Sequence, residues 1–176
     1  MTDSERFEAV FRRHHRAVLR YALRRTDPAT AEEVVADTFL VCWRRLGDMP
    51  ADPLPWLLGT ARRCLANRRR AQTRSANLAA RASRLDAGPE SRDPGEVIGA
   101  RESIRAAFAG LSESDREILR LVAWDGLDVA AGARVLGCTR AAFALRLHRA
   151  RRRLRARLAA AGEAPQLPEP VLQEAT

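Results

Sequence analysis

The sequence contains no lysine: all 31 of its basic residues are arginine, against 22 acidic residues. The resulting formal net charge of +9 at pH 7 favours a polyanionic partner. Arginine suits bidentate contacts to phosphate and guanine, but the absence of lysine also fits the codon bias of a GC-rich genome, so we give it little functional weight. A chain without lysine cannot supply the lysine of a phosphate-binding P-loop.

Cysteine is scarce as well, and its positions do not suit a disulfide framework. Cys42, Cys64 and Cys138 are far apart, odd in number and set in apolar patterns typical of helices. This spacing fits neither disulfides nor a metal site, so we predict reduced, buried cysteines. Because no run approaches the ~20 apolar residues of a membrane span and no signal-peptide core is present, we expect a cytoplasmic protein without membrane insertion.

Catalytic motifs are also missing. His14, His15 and His148 have no carboxylate or cysteine at ligand spacing beside them. The chain lacks a glycine-rich phosphate loop and a nucleophile elbow. We therefore expect no enzyme activity, no catalytic residue, no metal and no cofactor, and we expect the histidines to serve packing or the surface.

Proline, glycine and mixed charge are concentrated in one stretch that divides the chain. Residues 83–96 read SRLDAGPESRDPGE and are almost without apolar side chains, which is typical of a solvated tether. Apolar residues at helical spacing flank this stretch, so we predict an all-α fold of two small helical domains joined by a flexible linker. The predicted boundaries are 1–71 for the first domain, 72–98 for the linker, 99–160 for the second domain and 161–176 for a disordered tail.

The first domain is predicted to contain three helices, at about 4–25, 29–46 and 56–70. The inward stripe of the first helix comprises Phe7, Val10, Phe11, His14, Val18, Tyr21 and Ala22. The second helix, capped by Asp27 or Thr30, directs Val34, Val35, Thr38, Phe39, Cys42 and Leu46 inward, and its acids Glu32, Glu33 and Asp37 form a patch near its start.

Trp56 opens the third helix, whose basic face comprises Arg62, Arg63, Arg69 and Arg70. An aromatic residue beside a cationic face is typical of single-stranded DNA binding, because every base offers a face to stack on. A tryptophan packed in a small core is the alternative. Trp43 and Trp124 are expected in the core or facing a partner.

The second domain has the pattern of a helix-turn-helix. Asp128 caps a helix that ends at Leu136, Gly137 supplies the turn, and Thr139 caps the next helix. That helix directs Phe143, Leu147, Ala150 and Leu154 inward, while its other face carries Arg140, Arg146, Arg149, Arg152 and Arg153. A solvated arginine face on an ordinary helix is the alternative, but the cap, the turn and the partner helix favour a DNA reader.

Four ordered stretches carry a family resemblance over about residues 7–158. They are AEEVVADTFLVCWRRL at 31–46, PWLLGTARRCLANRRR at 55–70, LSESDREILRLVAWDGL at 111–127 and LGCTRAAFALRLHRARRRL at 136–154. In this order, with a loose linker between the pairs, they resemble an extracytoplasmic-function sigma factor of the bacterial sigma-70 family. Such a protein directs RNA polymerase to promoters.

The resemblance implies three binding sites. Binding to the clamp of core RNA polymerase is expected at Glu32, Glu33, Asp37, Phe39 and Trp43. Binding to the minus-ten element, whose extruded base is held near the loop of residues 47–55, is expected at Trp56, Arg62, Arg63, Asn67, Arg69 and Arg70. Binding to the minus-thirty-five element is expected at Thr139, Arg140, Ala141, Ala144, Arg146 and Arg149. The implied partners are the clamp and flap regions of the polymerase core, promoter DNA and an anti-sigma factor.

Several residues depart from the family pattern. Ala36 stands where a glutamine is usual in the clamp-binding helix, and Arg63 and Asn67 replace an asparagine and an acid in the strand-opening helix. In the helix-turn-helix, Ala131, Gly132 and Ala144 replace an acid, an isoleucine and a lysine. Either DNA shape is read in place of bases, or base contacts shift to Arg140 and Arg146, which we favour.

A free-standing helix-turn-helix regulator is the competing function. Such a regulator does not need an acidic docking patch coupled to an aromatic, basic helix. It should also dimerise on a palindromic site, and the sequence shows no sustained heptads for a dimerisation helix.

Overall fold

The structure is a computed structural model that describes residues 2–82 and 100–160, and within these ranges every regular element is a helix. Contacts divide the chain into two compact units, with the boundary after Ser91. The first unit contains α1 (Asp3–Leu23), α2 (Pro28–Arg44), a short 3₁₀ turn (Leu46–Asp48) and α3 (Pro53–Ala82). The second contains α4 (Ala100–Ala109), α5 (Glu113–Ala123), α6 (Val129–Leu136) and α7 (Arg140–Ala160). The predicted all-α class is confirmed.

Side-chain caps fix the starts of several helices. At α1, Glu5 accepts a hydrogen bond from the Thr2 backbone N–H at 2.7 Å, and Thr2 accepts one from the Glu5 N–H. Of the two caps predicted for α2, Asp27 is the one used, because its carboxylate accepts from the Thr30 N–H at 2.9 Å. This bond, with further hydrogen bonds from the Thr30 and Thr26 side chains, lowers the pKa of Asp27 to about 2. The bonds from backbone N–H groups satisfy donors that the first helical turn leaves without partners.

The core of the first unit lies where α1, α2 and α3 pack together. Tyr21, Val18, Val34 and Leu57 are fully buried there, and the buried Thr38 hydroxyl donates to the Val34 carbonyl at 2.6 Å. The predicted inward stripe of α2 is confirmed throughout. In the α1 stripe, Phe7 is half-buried and Phe11 is exposed, because both lie at the rim where α1 meets α2.

Helix α3 is longer than the sequence analysis predicted. It begins at Pro53, because proline is tolerated in the first helical turn, and it continues to Ala82. Residues 71–82 lack glycine and proline and are rich in alanine and arginine, so nothing in them ends the helix. The predicted third helix, at about 56–70, is therefore corrected to Pro53–Ala82, while the linker start at residue 72 stays a prediction. The remainder of that linker from residue 83 to 98, and the predicted tail at 161–176, fall outside the described residues.

The cysteines are free, as predicted, but differ in burial. Cys42 is fully buried, whereas Cys64 and Cys138 are partly accessible, so complete burial is correct for Cys42 alone. Burial raises the pKa of the Cys42 thiol. It also raises the pKa of the Cys64 thiol, with a further contribution from the nearby Asp37 carboxylate.

The core of the second unit is built around α7, which packs against α4, α5 and α6. Phe143, Leu121 and Leu158 are fully buried in it. The Phe143 ring lies against the backbone of Gly132 on α6 so closely that a β-carbon there would stand 2.3 Å from the ring Cζ. Glycine at residue 132 therefore leaves room for the large Phe143 ring. This packing accounts for Gly132 at a position where isoleucine is usual in the family.

Candidate binding surfaces

The predicted acidic patch on α2 is bridged by an arginine from α3. Arg68 donates from Nη2 to the Asp37 carboxylate at 2.7 Å and from Nη1 to Glu33. Its hydrogen bond to Asp37 raises the pKa of the Arg68 guanidinium. Glu32, the residue before Glu33, is exposed. The patch therefore contains two carboxylates that are held in position by a guanidinium group of the same unit.

Aromatic residues extend this surface along α2. The Phe7 ring meets the half-exposed Trp43 edge-on at 5.3 Å between ring centroids, and Phe11 packs edge-on against Phe39 at 4.7 Å. Phe39 is only 3% exposed, so it supports the surface from beneath and does not reach a partner directly. Leu40, one turn before Trp43, is half-exposed and was not among the predicted docking residues.

Helix α3 separates the predicted minus-ten residues into two groups. The buried Leu57, Leu58, Ala61 and Leu65 define its inner face. At about 100° per residue, the opposite face is formed by one line of side chains. This outer line comprises Trp56, Arg63, Asn67 and Arg70. Arg62 and Arg69 lie on the flank, and Arg69 donates to the Arg25 backbone carbonyl at 3.0 Å.

Two hydrogen bonds hold the outer line in place. Arg70 donates to the Asn67 side-chain oxygen at 2.6 Å, and Arg63 donates from Nε to the Gly59 carbonyl at 3.1 Å. Trp56 is half-buried in the first turn of α3, so part of its ring stays accessible. An accessible aromatic followed by two positioned guanidinium groups can stack a base and contact the adjoining backbone.

An open groove of about 640 Å³ lies between α1 and the loop that precedes α3. Its lining includes Arg6, Arg13 and His14 from α1, and Met49 and Asp52 from the loop. Burial lowers the pKa of His14 and the neighbouring Arg13 lowers it further, while Asp52 opposes both effects. The groove thus combines two cations, a carboxylate and a buried imidazole beside the loop of residues 47–55.

The helix-turn-helix forms as predicted in the second unit. Asp128 accepts from the Ala131 N–H at 2.7 Å, and Gly137 ends α6 in the left-handed conformation with φ of 64°. Thr139 then accepts from the Ala142 N–H at 3.2 Å at the start of α7. Phe143, Leu147, Ala150 and Leu154 face inward, as the spacing predicted.

All six predicted minus-thirty-five residues are exposed, but they do not share one face. Arg140 and Arg146 are six residues apart, which places them about 120° from each other around α7. The buried residues Phe143 and Leu147 lie within that 120° sector, and Ala141, Ala144 and Arg149 occupy the wider remaining sector, which is the outer face. The two arginines therefore flank the outer face of α7 on opposite sides.

Several arginines of the second unit serve internal contacts. Arg153 donates to both oxygens of Asp115 at 3.0 and 2.8 Å and ties α7 to α5, although its sequence position placed it on the free basic face. Arg116 and Arg120 both donate to Glu113. The pair of Arg116 and Glu113 has the i,i+3 spacing of helix neighbours, whereas sequence spacing alone does not connect Asp115 and Arg153.

Within residues 2–82 and 100–160, no helix is long and apolar enough to cross a membrane. In the same ranges, histidine, cysteine and acidic side chains do not gather into any group of three or more that could hold a metal ion.

Comparisons with known proteins match both units. The model of Sigma-70 region 2 matches residues 10–75, and that of Sigma-70, region 4 matches residues 101–154, so the two together span more than half of the chain. No curated protein is similar enough in sequence to match.

Two solved structures are similar to the chain over most of its length. One is the sigma factor RpoE in complex with the anti-sigma factor NepR from Bartonella quintana, with 22% identity and a TM-score of 0.58 over 87% of this chain and 96% of that one. The other is CnrH in complex with the cytosolic domain of CnrY, with 25% identity and a TM-score of 0.58 over 88% of both chains. With both sigma regions present in order, the chain belongs to the sigma-70 family, as an extracytoplasmic-function sigma factor that serves RNA polymerase in transcription initiation.

Proposed function

We propose that the first unit of this sigma factor binds core RNA polymerase and the minus-ten element, and that the second binds the minus-thirty-five element. One observation carries the proposal: the first unit joins an acidic, aromatic helix to a basic one through Arg68, and the second presents a capped helix-turn-helix. A free-standing regulator needs only the second unit. The match of the first unit to sigma region 2 therefore disfavours that alternative.

The docking surface for the polymerase clamp is assigned to α2. Glu32, Glu33 and Asp37 supply negative charge, and Trp43 supplies apolar area at the same helix. Exposed acids beside a half-exposed aromatic suit a basic partner surface, because charge steers the encounter and aromatic burial supplies affinity. Phe39 contributes by holding the Phe11 ring in position. The clamp and flap regions remain the proposed contact points on the core.

The minus-ten element is assigned to the outer line of α3 and the groove beside it. Extruding a base from the duplex costs a few kcal/mol of stacking, which preformed contacts must offset. Trp56 offers a stacking surface, and Arg63, Asn67 and Arg70 follow it along the outer line. Arg62 and Arg69 on the flank are assigned to the backbone of the same strand. The groove lined by Arg13, His14 and Asp52 is large enough for a nucleobase.

The proposed function also implies a cellular location for the protein and a partner that regulates it. A sigma factor acts where RNA polymerase is, so we expect the chain in the cytoplasm. RpoE, which shares the fold, was crystallised with an anti-sigma factor. We therefore expect an anti-sigma partner here that covers polymerase- or DNA-binding surfaces.

The direct test mixes the purified chain with sigma-free core polymerase, followed by size exclusion and transcription from a library of bacterial promoter fragments. Co-elution together with start-site selection is the expected result. Duplex binding without co-elution would instead identify a free-standing regulator.

The docking assignment is tested by Asp37→Arg, which should abolish co-elution with core because it reverses a charge on the docking surface. The same variant breaks the bridge to Arg68, so a second variant, Asp37→Arg with Arg68→Asp, restores an internal ion pair with its charges exchanged. Loss of core binding in both variants supports docking through Asp37. Recovery in the exchanged variant would show that the bridge itself was needed. Glu8→Arg, an exposed charge reversal on α1, is the matched control and should leave co-elution unchanged.

A further inference from the structure

Leu145 is a large apolar residue on the solvent side of an arginine-rich helix. Its relative exposure is 50%, while the buried residues of α7 lie on the other side. At about 100° per residue, Leu145 stands almost diametrically opposite the centre of that buried face. A single exposed leucine is ordinary on a protein surface, so exposure alone assigns it no role.

The residues next to Leu145 indicate a role for its side chain. Ala141 lies one turn before it and Ala144 beside it, and both are exposed with short side chains. Leu145 therefore projects beyond the residues on its N-terminal side in the first two turns of α7, whereas the exposed His148 and Arg149 follow it in the next turn. The first two turns are those of a reader helix that approach base edges in the major groove.

The flanking arginines strengthen this arrangement. Arg140 and Arg146 lie on opposite sides of the outer face, where phosphate backbones border a groove that holds a helix. Leu145 lies on the outer face, about 140° from Arg140 and about 100° from Arg146 around the helix axis. The outermost position in the first two turns thus carries an apolar side chain, while the cations of those turns, Arg140 and Arg146, lie at the borders of the outer face.

We propose that Leu145 is a specificity-determining residue that recognises a thymine of the minus-thirty-five element by contact with its C5-methyl group. The methyl group is the apolar feature that base pairs present in the major groove, and apolar side chains are its usual partners. This inference rests on the proposed function of α7 as the reader of that element. It also accounts for specificity in a helix whose family lysine position is Ala144.

The test uses holoenzyme formed with the full chain and promoter fragments that share one minus-ten region and carry a randomised minus-thirty-five region. Each selected thymine is then replaced by deoxyuridine, which removes the methyl group and keeps the hydrogen-bonding edge. At one position, the wild-type complex should lose about fourfold in affinity, the change that corresponds to one buried methyl group. Leu145→Ala should bind the thymine fragment with the same deficit and should not respond to deoxyuridine there.

Leu23→Ala is the matched control, because Leu23 is a comparably exposed leucine at the end of α1. It should keep the full response to deoxyuridine. The proposal is overturned if Leu145→Ala retains that response, or if the wild-type complex selects a minus-thirty-five sequence without a methyl-sensitive thymine. If no minus-thirty-five sequence is selected at all, the proposed function of α7 as the reader is also wrong. A selected sequence without a methyl-sensitive thymine contradicts the Leu145 proposal alone.

Discussion

At residue 132, the absence of a side chain is a packing requirement of the helix-turn-helix. A β-carbon would collide with the Phe143 ring, which is fully enclosed and has little room to move. We predict that Gly132→Ala destabilises the second unit by about 1–3 kcal/mol, as overpacking usually does. Urea unfolding followed through amide signals of α6 and α7 measures the effect.

A smaller residue at 143 provides the control for this prediction. In a Phe143→Leu background the ring is gone, so the added methyl of Gly132→Ala should be tolerated better than in the wild type. A double-mutant cycle then gives a coupling free energy between the two positions. If the effects of Gly132→Ala and Phe143→Leu on stability are additive, other residues must shift to relieve the collision.

His14 is predicted to make the first unit sensitive to acid. Burial lowers its pKa from the ordinary 6.5, so the unfolded chain binds a proton at a higher pH than the folded one does. The stability associated with the neutral imidazole is therefore present above pH 6.5 and is lost as the pH falls through the lowered value. Arg6 and Arg13 also line the groove and Asp52 partly offsets them, so the expected loss is moderate.

The measurement is urea unfolding of the first unit between pH 7.5 and about pH 5, over which a shifted histidine titrates. His14→Gln should flatten this dependence, whereas His148→Gln, at an exposed position of the second unit, should not. A wild-type profile that is flat over the same interval would contradict the prediction.

Single-residue predictions from sequence succeeded where the cause is local. Asp128, Gly137 and Thr139 could be placed because capping and the left-handed turn depend on residues within one helical turn. Arg68 was missed, since its partners Asp37 and Glu33 are 31 and 35 positions away and no local pattern pairs residues at that distance. The position of Phe39 in the core followed from its spacing, but its family role favoured the surface.

At the scale of elements, we propose that α7 reads the minus-thirty-five element through its outer face, with Arg140 and Arg146 at the borders of that face. The sequence pattern favours both arginines as base contacts, but these border positions suit phosphate contacts. We predict that alanine at either position lowers affinity for all minus-thirty-five sequences by similar factors, as loss of a phosphate contact does. Binding to a panel of selected and scrambled duplexes measures this. A loss confined to certain sequences would restore the base-contact role.

The starts of the helices were easier to predict from the sequence than the end of α3. The starts of α2 and α6 follow from capping residues, and their predicted positions are close to those observed. The end of α3 was placed too early, because the predicted stop relied on the end of its amphipathic pattern near Arg70. Residues 71–82 continue the helix through intrinsic propensity, which apolar periodicity does not report.

At the scale of the whole molecule, the division into two units follows from composition. The stretch from 83 to 96 is almost without apolar residues, and the boundary between the units falls within it. The surfaces of the units were harder to predict, because net charge does not reveal which arginines are committed to acids of the same unit. Residues 111–162 carry 11 arginines and five acids, yet Arg116, Arg120 and Arg153 all bind such acids.

The Arg153–Asp115 pair has a consequence for the thermodynamics of DNA association. Cations that already neutralise a protein carboxylate do not displace condensed ions from the duplex, so the counterion release of the second unit should fall short of its arginine count. Arg152→Gln, on the outer face of α7, should lower the slope of log affinity against log salt by about 1 if it meets a phosphate. Arg153→Gln should leave that slope unchanged while weakening the fold. Titrations across a salt series would thus show which arginines of α7 contact promoter phosphates and which are paired with carboxylates of the protein itself.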